Sequence, residues 1–331
     1  MRFGIIGCGD IAASSFAPSL VHSDATELAA VCRRDLDQAR AFADRFGGCS
    51  AYGAATDLLA DDAVEAVIVA TPTDTHCEYT IAAAAAGKHV LCEKPMARDR
   101  HECRHMIEAC RAAGVALAVA YRRRFFPQVV AAKALIAEGA IGPVACTRTH
   151  YAGGGMATGW RARADIGGAL MEMAVHRIEV LLNLAPAAPV EISGIVDTVY
   201  HKQAEADDTN GLLLRFADGT MGLHSTILTS RPRRDLAQVD GTDGRIVIDG
   251  LEFGSDQIEL ETERERRCVA VVPLEAPYYD QPMIEDLVAA ASSGREPVCD
   301  GITGYTVQAV ADAARESSVS GQRVAVDSWK D

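Results

Sequence analysis

The chain has 331 residues, 49% apolar and 24% charged, enough for two domains with their own cores and typical of soluble globular proteins. Acidic residues outnumber basic ones, 46 to 32, for a net charge of −14, so neither a nucleic-acid nor a membrane partner is expected. No apolar run reaches the ~20 residues of a membrane span, and ten cysteines without a CxxC pair read as reduced, mostly buried thiols.

The opening "MRFGIIGCGD" starts as a strand and turn without an h-region, and the expected location is the cytoplasm. From there to residue 120 strands and helices alternate. The strand candidates are "RFGIIG", "ELAAVCR", "AVEAVIVAT", "KHVLCE" and "VALAVAY"; helical patterns such as "DLDQARAFADRF", "TIAAAAAG" and "RHECRHMIEACRAAG" lie between them. Apolar strands alternating with helices predict a parallel sheet covered on both faces. After Tyr121 a helix, "PQVVAAKALIAEGAIG", leads into longer strands of alternating polarity: "PVACTRTHYAG", "PVEISGIVDTVY", "GLLLRFADGTMGLHSTIL" and "GRIVIDG". "ADGT" and "GTDG" read as hairpin turns. Two helices, "PMIEDLVAAASSG" and "TGYTVQAVADAARESS", close the chain. The predicted class is α/β: a parallel-sheet domain over 1–120 and a second domain over 121–331 with a large, mostly antiparallel open sheet. The last helix has the option of packing back on the first domain.

Gly7 and Gly9 follow the first strand directly, with Ala12 where a third glycine often sits. Gly7 permits a tight turn and Gly9 a close approach to a pyrophosphate. The helix that opens at Asp10 and Ile11 turns its amides toward the phosphates. The second strand ends in Cys32, Arg33 and Arg34, where an NAD site would carry an acidic residue for the ribose hydroxyls. Arginine there suits a 2′-phosphate, which favours NADP over NAD; the plainer reading is a pair of solvated loop charges. Asp35 reads as a helix cap.

Two further stretches carry chemistry. In "GKHVLCEKPMA", Glu93 and Lys94 stand at the mouth of a buried strand, where charge is costly unless partnered. In "DIGGALMEMAVHRIEVLLNLA", Glu172, His176 and Glu179 fall at i, i+4 and i+7 on one helix face. A carboxylate there can fix the tautomer of the imidazole and leave its other nitrogen to take a proton from a substrate. A structural surface pair is the competing reading. "RHECRH" sets His101 and His105 four apart, but Cys103 points elsewhere on the helix, so no metal is expected.

"GCGDIA", "TPTDTHCEYTIAAAAAGKHVLCEKP" and "GGALMEMAVHRIEVLL", in that order and spacing, resemble the glucose–fructose oxidoreductase, inositol dehydrogenase and MocA family over nearly the whole chain. The resemblance implies a Rossmann domain and a C-terminal α/β domain whose open sheet often mediates oligomers, here a homodimer or homotetramer. It implies nicotinamide-dependent oxidation or reduction of a sugar, cyclitol or related polyol. Lys94 then matches the family's catalytic lysine and His176 its histidine, with Glu172 beside it. Glu93 holds the lysine or touches the cofactor, and the bond before Pro95 is often cis. Thr71, Pro72 and His76 match the segment lining the cofactor, and Arg161 the segment before the histidine helix. Tyr121, Arg123, His150 and Tyr151, with Glu179, stand at family-like positions for the substrate. The family usually has Asp at the positions of Glu172 and Glu179, and Gly at that of Ala174. In the implied mechanism His176 takes the hydroxyl proton while Lys94 stabilises alkoxide character. A non-catalytic dinucleotide-sensing regulator or scaffold, and a redox-neutral enzyme with retained cofactor, remain alternatives on the same fold.

Overall fold

Strands buried on nearly every residue, such as Ala66–Val69 and His89–Cys92, pack only where helices cover both sides of a sheet. The computed structural model describes residues 1–155, 158–251 and 255–330. It divides into two compact units, Met1–Arg122 with Glu275–Tyr305, and Arg123–Leu274 with Thr306–Asp331.

The first unit holds β1 (Arg2–Ile6), β2 (Glu27–Cys32), β3 (Ser50–Tyr52), β4 (Ala66–Val69), β5 (His89–Cys92) and β6 (Leu117–Val119). All pair parallel, in the order β3-β2-β1-β4-β5-β6. This is the doubly wound order of a dinucleotide-binding Rossmann sheet, with ligands bound beyond the strands' C-terminal ends. The connecting helices are α1 (Ala17–His22), α2 (Leu36–Arg45), α3 (Ala55–Leu59), α4 (His76–Ala85) and α5 (Arg100–Ala113). On α5, Cys103, Met106, Ile107 and Cys110 face the core, whereas His101 and His105 are exposed on the other side. Among the described residues no three His, Cys, Asp or Glu gather as a metal site. The strand β3 and the helix α3 carry little sequence signal, because three half-exposed residues and a five-residue helix show no period.

The second unit opens with α6 (Pro127–Ala137), β7 (Val144–Ala152) and α7 (Val175–Leu184), the latter preceded by a π-helical turn over Leu170–Ala174. Next come β8 (Pro189–Asp197), β9 (Thr209–Phe216), β10 (Met221–Ile227), β11 (Arg234–Gly241), β12 (Gly244–Asp249), β13 (Gln257–Thr262) and β14 (Arg266–Ala270). Two helices, α8 (Gln281–Ser293) in the first unit and α9 (Gly301–Ser320), lead to β15 (Val324–Ala325). The sheet runs β14-β13-β12-β11-β7-β10-β9-β8-β15, and only the central pair β7 and β10 is parallel.

Strict alternation along β9 buries Asn210, Leu212, Leu214 and Phe216 on one face and exposes Leu213 and Arg215 on the other. Burying one face fixes register, since a one-residue slip would send the buried set to the open face. In β11 the inward position Asp235 is a carboxylate, which makes the strand read as polar. It meets the fully buried guanidinium of Arg177 at 2.6 and 3.1 Å. Among the described residues no helix is long and apolar enough to cross a membrane.

Candidate cofactor and catalytic sites

The turn after β1 is shaped by its neighbours. Gly7 adopts φ +101°, and a Cβ there would stand 2.6 Å from the carbonyl oxygen of Ala70 at the end of β4. Only glycine combines that backbone with that approach. The Gly7 amide bonds to the carbonyl of Cys32, which ties the turn to the end of β2 at 3.0 Å. At Gly9 a Cβ would meet nothing within 4 Å, so the space beyond the turn is open. An open glycine face leading into a helix that starts at Asp10 and Ile11 fits the pyrophosphate of a dinucleotide.

Arg33 and Arg34 are exposed at the end of β2, and Arg33 Nη1 donates to the Cys8 carbonyl at 2.8 Å, beside the glycine turn. Asp35 is committed to capping α2, accepting from the Gln38 amide at 3.1 Å. Hydrogen bonds from the Gln38 amide and side chain hold its carboxyl below the usual range.

Thr71 and Pro72 come just after β4. His76, almost wholly buried, faces the carbonyl of Thr71 with Nε2 at 2.8 Å and that of Pro95 with Nδ1 at 2.9 Å. It therefore clamps the Thr71–Pro72 segment to the backbone after Lys94, and the Lys94–Pro95 bond is cis. Burial holds its imidazole below the ordinary pKa, against the pull of both carbonyls.

Lys94 is half-buried at the end of β5. Burial pushes the neighbouring Glu93 carboxyl up to about 7, with Lys94 and Arg122 opposing and Asp280 reinforcing the shift. Among the described residues Glu93 Oε2 has no hydrogen-bond partner. Arg122 connects this corner to the glycine turn, donating to Ser15 Oγ at 3.2 Å and pairing with Asp280 Oδ1 at 3.5 Å. Asp280 stands at the N-cap of α8 without capping it through its side chain. Tyr121 is buried in the same unit.

In the second unit, His176 lies at the start of α7 with 9% of its surface exposed. Glu172 lies inside the π-helical turn, where Val175 N–H closes on the Leu170 carbonyl, one residue further than in an α-helix. Its Oε2 pairs with Arg161 Nε at 3.1 Å, and Arg161 stacks 4.6 Å over Trp160. Glu179 is wholly buried and accepts from Arg124 Nε at 2.6 Å. Burial raises its carboxyl, with Arg124, Lys133 and Arg123 opposing. Thus the carboxylates at 172 and 179, one helix face by spacing, hold different arginines. Arg123 is buried, and Tyr151 is buried beneath Arg177, whose guanidinium lies 4.2 Å over its ring. His150 pairs with Ser225 Oγ at 2.7 Å.

Glu93 carries a testable cost. Its carboxyl keeps a proton up to about 7 in the folded chain, against an ordinary value of 4.5. Between those values the native state binds more protons than the unfolded one, so stability falls as pH rises through that window. Glu93→Gln removes the penalty. Its melting temperature relative to the parent chain rises from pH 5 to pH 8 in thermal melts; an equal difference at both values would show a carboxylate already ionised and compensated.

Two family models match the chain in order. The oxidoreductase family with an NAD-binding Rossmann fold covers residues 1–121, and the GFO/IDH/MocA C-terminal domain covers 129–247. An uncharacterized oxidoreductase of Rhizobium meliloti is 42% identical over 144 residues, 44% of this chain and 43% of that relative's length. The D-xylose 1-dehydrogenase (NADP(+)) 2 of Haloferax volcanii is 30% identical over 339 residues, 99% of this chain and all of its own. Among solved structures, a levoglucosan dehydrogenase in complex with NADH and levoglucosan superposes with a TM-score of 0.88 at 26% identity, over 98% of this chain and 99% of that one. With both domains matched in sequence order and a relative aligned end to end, the chain belongs to the GFO/IDH/MocA family of oxidoreductases.

Proposed function

We propose that this oxidoreductase is a cytoplasmic, NADP-preferring dehydrogenase or reductase acting on a CH–OH group of a sugar, cyclitol or related polyol or keto-sugar. The first unit binds the cofactor and the second carries substrate and subunit contacts. The observation that supports the cofactor preference is Arg33, anchored on the Cys8 carbonyl, with Arg34 beside it and Asp35 withdrawn into a cap. Two guanidinium groups favour a 2′-phosphate over bare ribose hydroxyls. The name of the Haloferax relative carries NADP(+), whereas the levoglucosan dehydrogenase complex holds NADH, which keeps NAD as the second reading.

When bound, a nicotinamide dinucleotide supplies the acceptor or donor of hydride. Gly7, Gly9, Asp10, Ile11, Thr71 and Pro72 bind it, with His76 holding the Thr71 carbonyl in place. Lys94 donates a hydrogen bond to the reacting oxygen and stabilises the negative charge that develops there. His176 accepts the hydroxyl proton in oxidation and returns it in reduction. Glu172, braced by Arg161, orients the histidine helix face. Tyr121, Arg123, Tyr151, Arg161 and Glu179 complete the substrate assignment.

Nucleotide-stripped protein titrated with NADPH and NADH tests the cofactor reading. NADPH is expected to bind more tightly, and Arg33→Ala to weaken NADPH by roughly 10- to 100-fold while leaving NADH unchanged, the weight of a charge-assisted contact. Tighter NADH binding would reverse the preference and leave the enzyme. His176→Ala is expected to lower turnover ~10²–10⁴-fold with unchanged NADPH affinity. Full turnover in that variant would remove the histidine from the mechanism, and a chain that binds NADPH but turns over no polyol would be a sensor.

The open face of the second unit's sheet supports a homodimer or homotetramer. Ile195 and Leu213 are 69% and 45% exposed there, and with Leu223 and Leu236 they line a cavity of about 780 Å³. Contiguous exposed apolar surface of this kind marks protein contacts. Leu213→Glu with Ile195→Glu is expected to shift the protein to monomer in light scattering; a parent chain already monomeric at micromolar concentration would end the assignment.

A further inference from the structure

The first turn of a helix leaves four backbone amides without intrahelical partners, and a side chain at its own N-cap normally answers them. The histidine helix has none: its π turn begins after Ala169, and no local side chain caps it. The missing acceptor comes from a different loop. The Asp207 carbonyl accepts from the Ala169 amide at 2.8 Å, and Asp207 Oδ2 accepts from the Leu170 amide at 2.9 Å, across 37 positions of sequence. Gly168 makes room for it. Its φ is +84°, and a Cβ there would collide with Asp207 Oδ1 and stand 2.9 Å from the Asp207 carbonyl oxygen.

Asp207 is itself held rigidly. The next residue, Asp208, is fully buried and accepts from the amides of Val199, Tyr200 and His201 at 2.7–2.9 Å and from Thr209 Oγ1 at 3.0 Å. Against the upward push of burial, those bonds keep its carboxyl at about 2. The Asp208 carbonyl accepts from the Leu228 amide at the end of β10. Loop 198–208 is thereby closed on itself and fastened to the sheet, and it presents Asp207 as a fixed acceptor. Burial pushes the Asp207 carboxyl up to about 6, with the Leu170 amide and Arg315 opposing. Arg315 in turn donates to the carbonyls of Ala164 and Asp165, in the segment that leads into the helix.

The turn that carries Glu172 comes directly after this cap. It closes one residue late, and successive residues of an α-helix differ by about 100° in direction, from 3.6 per turn. Relaxing that turn to α-helix would change the direction of Glu172 relative to His176.

We propose that Asp207 is a positioning residue for proton transfer: it caps the histidine helix from outside, maintains the π-helical turn over Leu170–Ala174, and so sets Glu172 against His176. The functional half of this inference rests on the reading that His176 moves the proton.

The test compares Asp207→Ala, Asp207→Leu and Asp207→Asn in the full-length chain by amide exchange and by NMR of the His176 ring. Asp207→Ala and Asp207→Leu are expected to speed exchange of the Leu170 amide roughly tenfold or more, and to shift the His176 ring resonances. Asp207→Asn, which keeps an acceptor oxygen, is expected to restore both. If the first two variants lower only the urea midpoint and leave the His176 resonances in place, the residue is merely structural and the proposal fails. Asp207→Leu, close in size, keeps the comparison open should Asp207→Ala not fold. Parent turnover retained by His176→Ala would sink the catalytic reading alone, because exchange and ring resonances report on Asp207 without any substrate.

Discussion

Charge carried below the surface is the constraint to which this structure answers. An ionised group removed from water is tolerated only when a partner compensates it in place, and that requirement turns each such group into a geometric fixture. The second unit shows the consequence along one helix. Arg177 of α7 is fastened to Asp235 of β11 by two contacts, and Glu179, two residues on, is fastened to Arg124. The two pairs leave α7 little freedom to rotate or slide on its sheet. His176, adjacent in sequence to Arg177, inherits that rigidity. Preorganisation of this kind is what the role proposed for His176 in proton transfer needs, because a small misplacement is expensive in rate.

The first unit handles the same constraint less completely. Glu93, just after β5, has one carboxylate oxygen unanswered among the described residues and holds its proton up to about 7. Asp280 could have capped α8, yet its carboxylate turns to Arg122. One guanidinium thereby serves Asp280 and Ser15, and Ser15 belongs to the helix that begins at the glycine turn. Stability is forgone around Lys94 and the arrangement of the corner is gained. Departures from local rules of this kind fit the catalytic role proposed for Lys94.

Legibility from the residues alone obeys the same physics. β1, β2, β4, β5 and β6 and the glycine turn were legible because near-continuous burial and abrupt Gly, Pro or charge boundaries mark them, whereas β3 was not. The hairpin turns "ADGT" and "GTDG" do join β9 to β10 and β11 to β12. β11 was not legible, since its inward positions include Asp235, and its apolar alternation appears only once Arg177 is known to meet it. β13 and β14 carry Glu259, Glu261, Arg266 and Arg267, as strands near a sheet edge commonly do, and charge hid them. Asp207 and Asp280 escaped for a different reason: each acts on a partner more than thirty positions away, and no local spacing encodes that.

Glu172 shows how far a residue's meaning depends on such distant partners. Spacing alone put it on one face with His176 and Glu179, a statement about ideal α-helix. The π-helical turn changes that geometry, and the carboxylate pairs with Arg161, whose own segment is tied in by the Gly167 amide on the Arg163 carbonyl and by Arg315 on Ala164 and Asp165. The extra methylene of glutamate over aspartate therefore comes with a matched arginine and a widened turn. A shorter side chain at 172 would have to draw Arg161 inward or release it. Glu172, Arg161 and the turn capped by Asp207 are adjacent in one arrangement, and the proposal for Asp207 is that they depend on one another.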